Sequence, residues 1–121
     1  MATLMVNGGK AIVTNRIKGS GTEPIYIAWG TGAGTTGATD TTLFTETGTR
    51  VSGTSTQQTT STTNDTYQVV GTMTAGGALS ITNAGLFDAS TSGNLFVKGD
   101  FTSIGLATGD SIQFTIKTQF S

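Results

Sequence analysis

The sequence predicts an all-β fold, an antiparallel β-sandwich or jelly roll with one short N-terminal helix, and three observations carry that reading. Its 121 residues include 27 threonines and 18 glycines. Threonine is β-branched and suits the solvated face of a pleated sheet, while glycine punctuates turns. Ser111 to Ser121 alternate, with Ile112, Phe114, Ile116 and Phe120 on one side and Gln113, Thr115, Lys117 and Gln119 on the other, the period of a strand with one buried face. Beyond Gly21 no segment has a helical period, so the crossover helices of a parallel sheet are missing. The length suits one core and not two, so residues 1–121 are expected to form a single domain.

From the N-terminus, Asn7 to Lys18 is the one candidate helix. Ile12, Val13, Arg16 and Ile17 share a face, and Gly19 and Gly21 end it. A short strand is the competing reading, because Ile, Val and Thr are mediocre helix formers. After Pro24, the run Ile25 to Trp29 is short enough for a strand and apolar enough to be buried on both faces, which places Trp29 in the core. Gly30 to Thr42 is nearly all Gly, Thr, Ala and Asp and reads as a long surface loop; Leu43 to Glu46 is a short candidate strand.

The polar stretch 47–63 has too little apolar surface to offset its own ordering entropy, so it is expected as an edge hairpin or an arm lying on a neighbour. Asp65 to Ala75, with Tyr67, Val69 and Met73 on one face, and Leu79 to Asp88, with Ile81, Leu86 and Phe87, are expected to pair as a hairpin through Gly76-Gly77. Leu95 to Phe101 is a further strand, and Thr108-Gly109-Asp110 turns the chain into the last one.

Little of this sequence is suited to chemistry. It has no His and no Cys, which removes the commonest general base, the thiol nucleophile and the usual transition-metal ligands. The carboxylates Glu23, Asp40, Glu46, Asp65, Asp88, Asp100 and Asp110 each sit beside turn-forming residues, where a short acidic side chain caps a turn or meets water. Gly32, Gly34 and Gly37 have the spacing of a dinucleotide fingerprint but no helix follows to receive a pyrophosphate, so they read as a loop. Asn64-Asp65-Thr66 matches a glycosylation sequon and reads as a turn. No catalytic group, cofactor or metal is expected, and the protein is not expected to be an enzyme.

Six basic and seven acidic residues, net −1, are scattered without a run of either sign, so neither nucleic acid nor a membrane is an expected partner. The start, Met1 to Val6, lacks the basic and apolar regions of a signal peptide, which points to synthesis in a bacterial cytoplasm.

Three stretches carry a resemblance: Lys18 to Gly32, with Glu23-Pro24-Ile25-Tyr26-Ile27-Ala28-Trp29-Gly30 at its centre; Ala84-Gly85-Leu86-Phe87-Asp88; and Gly109 to Ile116. Together they resemble short tailed-phage virion structural proteins, the tail-fibre-like and capsid decoration (cement) proteins. The first two are also similar to the N-terminal module of phage tail-collar fibres. In that module the pattern continues into a long fibre, whereas here the chain ends one residue after Phe120. The resemblance therefore implies a virion protein that decorates the capsid by binding the major capsid protein, with a tail fibre, collar or baseplate adaptor as the alternative.

A homo-oligomer is expected, with contact residues Leu4, Met5 and Val6 at the N-terminus and Arg50, Gln57 and Gln58 in the polar stretch. A third reading is a carbohydrate-binding β-module for host-surface recognition, which requires Trp29, Tyr26 and Tyr67 as exposed stacking platforms.

Overall fold

The computed structural model describes residues 3–121; Met1 and Ala2, which open the stretch read for a signal peptide, lie outside the described residues. Eight strands and one helix follow in the order β1 (Thr3–Met5), α1 (Asn7–Ile17), β2 (Tyr26–Gly30), β3 (Glu46–Ser52), β4 (Thr54–Gln58), β5 (Thr66–Thr74), β6 (Leu79–Phe87), β7 (Leu95–Leu106) and β8 (Ser111–Gln119). Every pairing is antiparallel. One sheet has the order β1-β7-β6-β2-β3 and the other β4-β5-β8, so the chain is an all-β sandwich with one short helix, as its patterning predicts.

The core lies between the sheets. The row Met5, Val97, Leu86, Ile27 and Val51 crosses the five-stranded sheet on its inner face, and Val69, Met73, Phe114 and Ile116 meet it from the other sheet. Trp29 is 2% exposed and packs edge-on to Phe114, with ring centroids 6.4 Å apart. Gly71 falls at an inward position of β5 because a Cβ there would lie 2.7 Å from Ile27 Cδ1; two sheets this close leave no room for a side chain.

Helix α1 buries Gly9 and Ile12 and packs the half-buried Val13 against the core. Gly9 lets it settle on β7, where a Cβ would come within 2.1 Å of the Phe96 carbonyl. The expected apolar stripe does not extend to the last turn: Ile17 is 81% exposed and Arg16 also faces solvent. Gly19, at φ 91°, turns the chain out of the helix with its N–H on the Arg16 carbonyl.

Other expectations are corrected. Strands β5 and β6 are not a hairpin: they belong to different sheets, and Gly76-Gly77 carries the chain between them. Neither glycine has the positive φ that a two-residue hairpin turn demands. The apolar faces of β5 and β6 therefore oppose each other across the core instead of lying side by side. Leu43 to Glu46 does not form its own strand, since β3 begins only at Glu46. Strand β8 ends at Gln119, so Phe120 leaves the inward row, is 46% exposed, and yields the last inward position to Thr118. The stretch 47–63 is divided between the sheets: β3 pairs with β2, β4 pairs with β5, and the chain crosses at Gly53. That crossing closes one side of the sandwich, and β1 and β8 form the edges of the other.

Candidate functional site

Alternation puts a second row, Leu4, Lys98, Gly85 and Ala28, on the outer face of the five-stranded sheet. With Val6, Leu43, Phe87 and Leu95, Ala28 forms a small second core there, against which Leu4 packs. The loop 31–45 covers it, and three polar strand residues fasten the loop. Asn83 is fully buried, accepts from the Phe44 N–H at 3.0 Å and donates to the Phe44 carbonyl at 3.1 Å, which imitates a strand pairing. Asp100 accepts from the Thr36 N–H at 3.0 Å. Lys98, 1% exposed, reaches Asp40 and the Thr42 carbonyl, each at 2.9 Å, and its ammonium lies 3.3 Å from the centre of the Phe44 ring.

A lysine so desolvated is tolerable only because carboxylate, carbonyl and ring surround it. The hydrogen bond from Lys98, with the Gly37 N–H second, holds the Asp40 carboxyl below its ordinary value. The three fingerprint-spaced glycines have a packing explanation at Gly32 and Gly34: a Cβ on Gly34 would lie 2.7 Å from the Phe44 ring, and one on Gly32 2.9 Å from the Phe44 carbonyl carbon. Residues 31–45 contain no helix.

The remaining carboxylates are also engaged. Glu46 grips Arg50 through both oxygens, at 2.8 and 3.0 Å. Asp65 receives the N–H groups of Thr62, Thr60 and Ser61, which hold its carboxyl well below the ordinary carboxylate value. Asn64 beside it adopts φ 60°, so the sequon is a turn. Asp88 accepts from Asn94 and Asp110 from Ala107. Glu23 accepts the Tyr67 hydroxyl at 2.8 Å; burial first, then this carboxylate, pushes the Tyr67 phenol above its ordinary value. Among the described residues no cluster of three metal-ligating side chains forms, and no helix is long and apolar enough to cross a membrane.

The six expected contact residues fall into two groups. Val6 is completely buried, its N–H on the Phe96 carbonyl, and offers nothing to a partner. Leu4 and Met5 are half-buried in β1. The Arg50 guanidinium is engaged within the chain: beside Glu46 it donates to the Ala89 and Ser92 carbonyls at 2.8 and 2.6 Å and lies 3.6 Å from the Phe87 ring centre. Gln57 is exposed on β4, while Gln58 is partly covered and donates to Thr56. Trp29, Tyr26 and Tyr67 do not form a stacking shelf, because Trp29 is in the core and both tyrosines are half-buried.

Sequence reasoning missed Lys98 and Asn83. The signal for Lys98 was the run Leu95-Phe96-Val97 before it, too apolar for a strand with a wet face, so that a lysine continuing it had to find a buried partner.

Two open features have apolar linings. One is a groove of about 300 Å³ beside α1, lined in part by Val13, Ile17, Pro24, Tyr67 and Phe120. The other, of about 460 Å³, runs between β7 and β8 past Phe101, Ile104, Phe114 and Ile116. Neither gathers a reactive constellation.

A family model described as podophage GP4 fiber I protein gp80 matches residues 12–119. No curated protein and no solved structure matches the chain.

Proposed function

The chain belongs to the podophage GP4 fiber I protein family, gp80, which makes it a structural protein of the phage virion, and from that premise we propose that it is a component of the tail-fibre apparatus. The observation that carries the reading is the extent of the match, which takes in every strand of both sheets except β1. A role in binding, with no reaction catalysed, is supported by the engagement of the carboxylates in turns, clamps and ion pairs. The proposed partners are other tail proteins, which would place contacts at the exposed strand edges and the two apolar grooves.

Counting copies per particle tests this, by quantitative protein analysis of purified virions. A small multiple of the tail symmetry, near six or twelve, is expected. A count in the hundreds would shift the assignment to capsid decoration, with the major capsid protein as partner. Absence from purified particles would end both readings.

A further inference from the structure

Two hydrogen bonds fix which way the backbone of β8 faces. The Ala75 N–H donates to the Asp110 carbonyl at 2.8 Å and the Phe120 N–H to the Asp65 carbonyl at 2.9 Å, and the register between β5 and β8 runs from one to the other without a shift. In an antiparallel ladder the hydrogen-bonded residues alternate. Even-numbered residues of β8 therefore direct their backbone groups at β5, and Ser111, Gln113, Thr115, Lys117 and Gln119 direct theirs outward. Among the described residues no strand lies there, since β8 ends its sheet.

This edge lacks the usual protection. It has no proline and no bulge, and Lys117 is its single charge. Its core-facing row is also under-covered: Ile112, Phe114 and Ile116 are only half-buried, and Ile104 across the 460 Å³ groove is 43% exposed.

We propose that β8 is the docking edge for a second copy of this chain, paired antiparallel β8 to β8 about a two-fold axis at Thr115. Centred there, Thr115 faces Thr115 of the second copy, Gln113 faces Lys117, and Ser111 faces Gln119. Every outward N–H and C=O finds a partner over the full nine residues. On the inner face Phe114 comes beside Ile116 of the other copy, which continues the core across the junction.

The charges permit this self-pairing. Each Lys117 meets a neutral glutamine, and the two lysines stand four residues apart along the edge, about 13 Å, beyond the screening length of about 8 Å in physiological salt. The paired edge is about 30 Å long and the sandwich roughly 15 Å deep with its side chains, which gives roughly 900 Å² buried over both copies. That falls below the ~1,200 Å² of a standard interface, so the dimer is weak in dilute solution and tightens where copies are held close together. The pairing follows from strand geometry and holds whether the chain sits in tail or capsid.

Cross-linking and sedimentation test it. The chain has no cysteine, so any disulfide in a single-cysteine variant joins two copies. Thr115→Cys is expected to form disulfide-linked dimers under mild oxidation, because facing Cα atoms lie about 5.5 Å apart. Ser111→Cys is not, because its counterpart lies eight residues away. In sedimentation equilibrium the mass should rise toward two chains with concentration. Thr115→Pro removes an outward N–H without touching the ladder to β5 and should return the mass to one chain with an unchanged circular dichroism spectrum. A protein still monomeric at about 1 mM, or one in which Ser111→Cys cross-links as readily as Thr115→Cys, overturns the proposal.

Discussion

Across the five-stranded sheet, residues one position apart meet opposite environments. Ile27, Leu86 and Val97 face a second sheet and are held by shape. Ala28, Gly85 and Lys98 face an irregular, threonine-rich loop that has few apolar groups to bring, so its attachment depends on Asn83, Lys98 and Asp100. Apolar packing is non-directional and tolerates small changes of shape, whereas a buried charge makes a discrete demand on its partners. The inner face should yield gradually to mutation and the outer face abruptly.

The largest expected effect breaks the outer face. Asp40→Ala leaves the buried Lys98 ammonium with the Thr42 carbonyl but without its partly exposed carboxylate, and stranding a buried donor in this way costs about 1–3 kcal/mol. Replacing both together, Asp40→Leu with Lys98→Met, should recover most of that loss, because it is the stranded charge that destabilises. Urea denaturation of the three proteins checks the ordering. A single variant no less stable than the double would mean that water reaches Lys98 and that the loop is fastened by something else.

Ile81→Val is the corresponding test of the inner face. Ile81 is completely buried within the core between the sheets, and removing one methylene there should cost only about 0.5–1.5 kcal/mol. The same denaturation experiment reads it. If Ile81→Val proved as costly as Asp40→Ala, the contrast between a forgiving face and an exacting one would be gone.

That contrast also separates what was legible in the sequence from what was not. The inner face announces itself locally: Ile112, Phe114 and Ile116 alternate, Tyr67, Val69 and Met73 do the same, and Trp29 lies in an apolar run, so period alone sends them inward. The outer face rests on pairs distant in sequence. Asp40 and Lys98 are 58 positions apart, and nothing near either names the other. A polar residue on a strand looks solvent-facing until the loop above it is placed. The mistaken hairpin has the same origin, because Gly76-Gly77 marks a change of direction without saying into which sheet. Among the contact residues, the burial of Val6 and the engagement of Arg50 depend on β7 and on the turn at residues 88–94. The free edge of β8 was half-legible: its alternation was the clearest in the chain, but its place at the end of a sheet is set by the order β4-β5-β8.

The smallest effect concerns acid, and it sharpens the comparison by dividing it between two carboxylates. Asp40 fastens the loop over the outer face and Asp65 closes the turn between β4 and β5, and both have folded-state pKa values below the ordinary 3.8. A depressed pKa means that the unfolded chain takes up the proton first as pH falls, so the stability each carboxylate contributes is present above about pH 4 and is lost below it. Thermal unfolding from pH 6 down to pH 2 should therefore show a decline beginning near pH 4. Asp65 is half-buried and accepts three backbone N–H groups, and Asp40 faces a buried charge, so Asp65→Asn and Asp40→Asn should each remove part of the slope. Equal slopes in the two variants and the parent would assign the acid response to other groups and leave Asp40 a bystander at the surface of the loop.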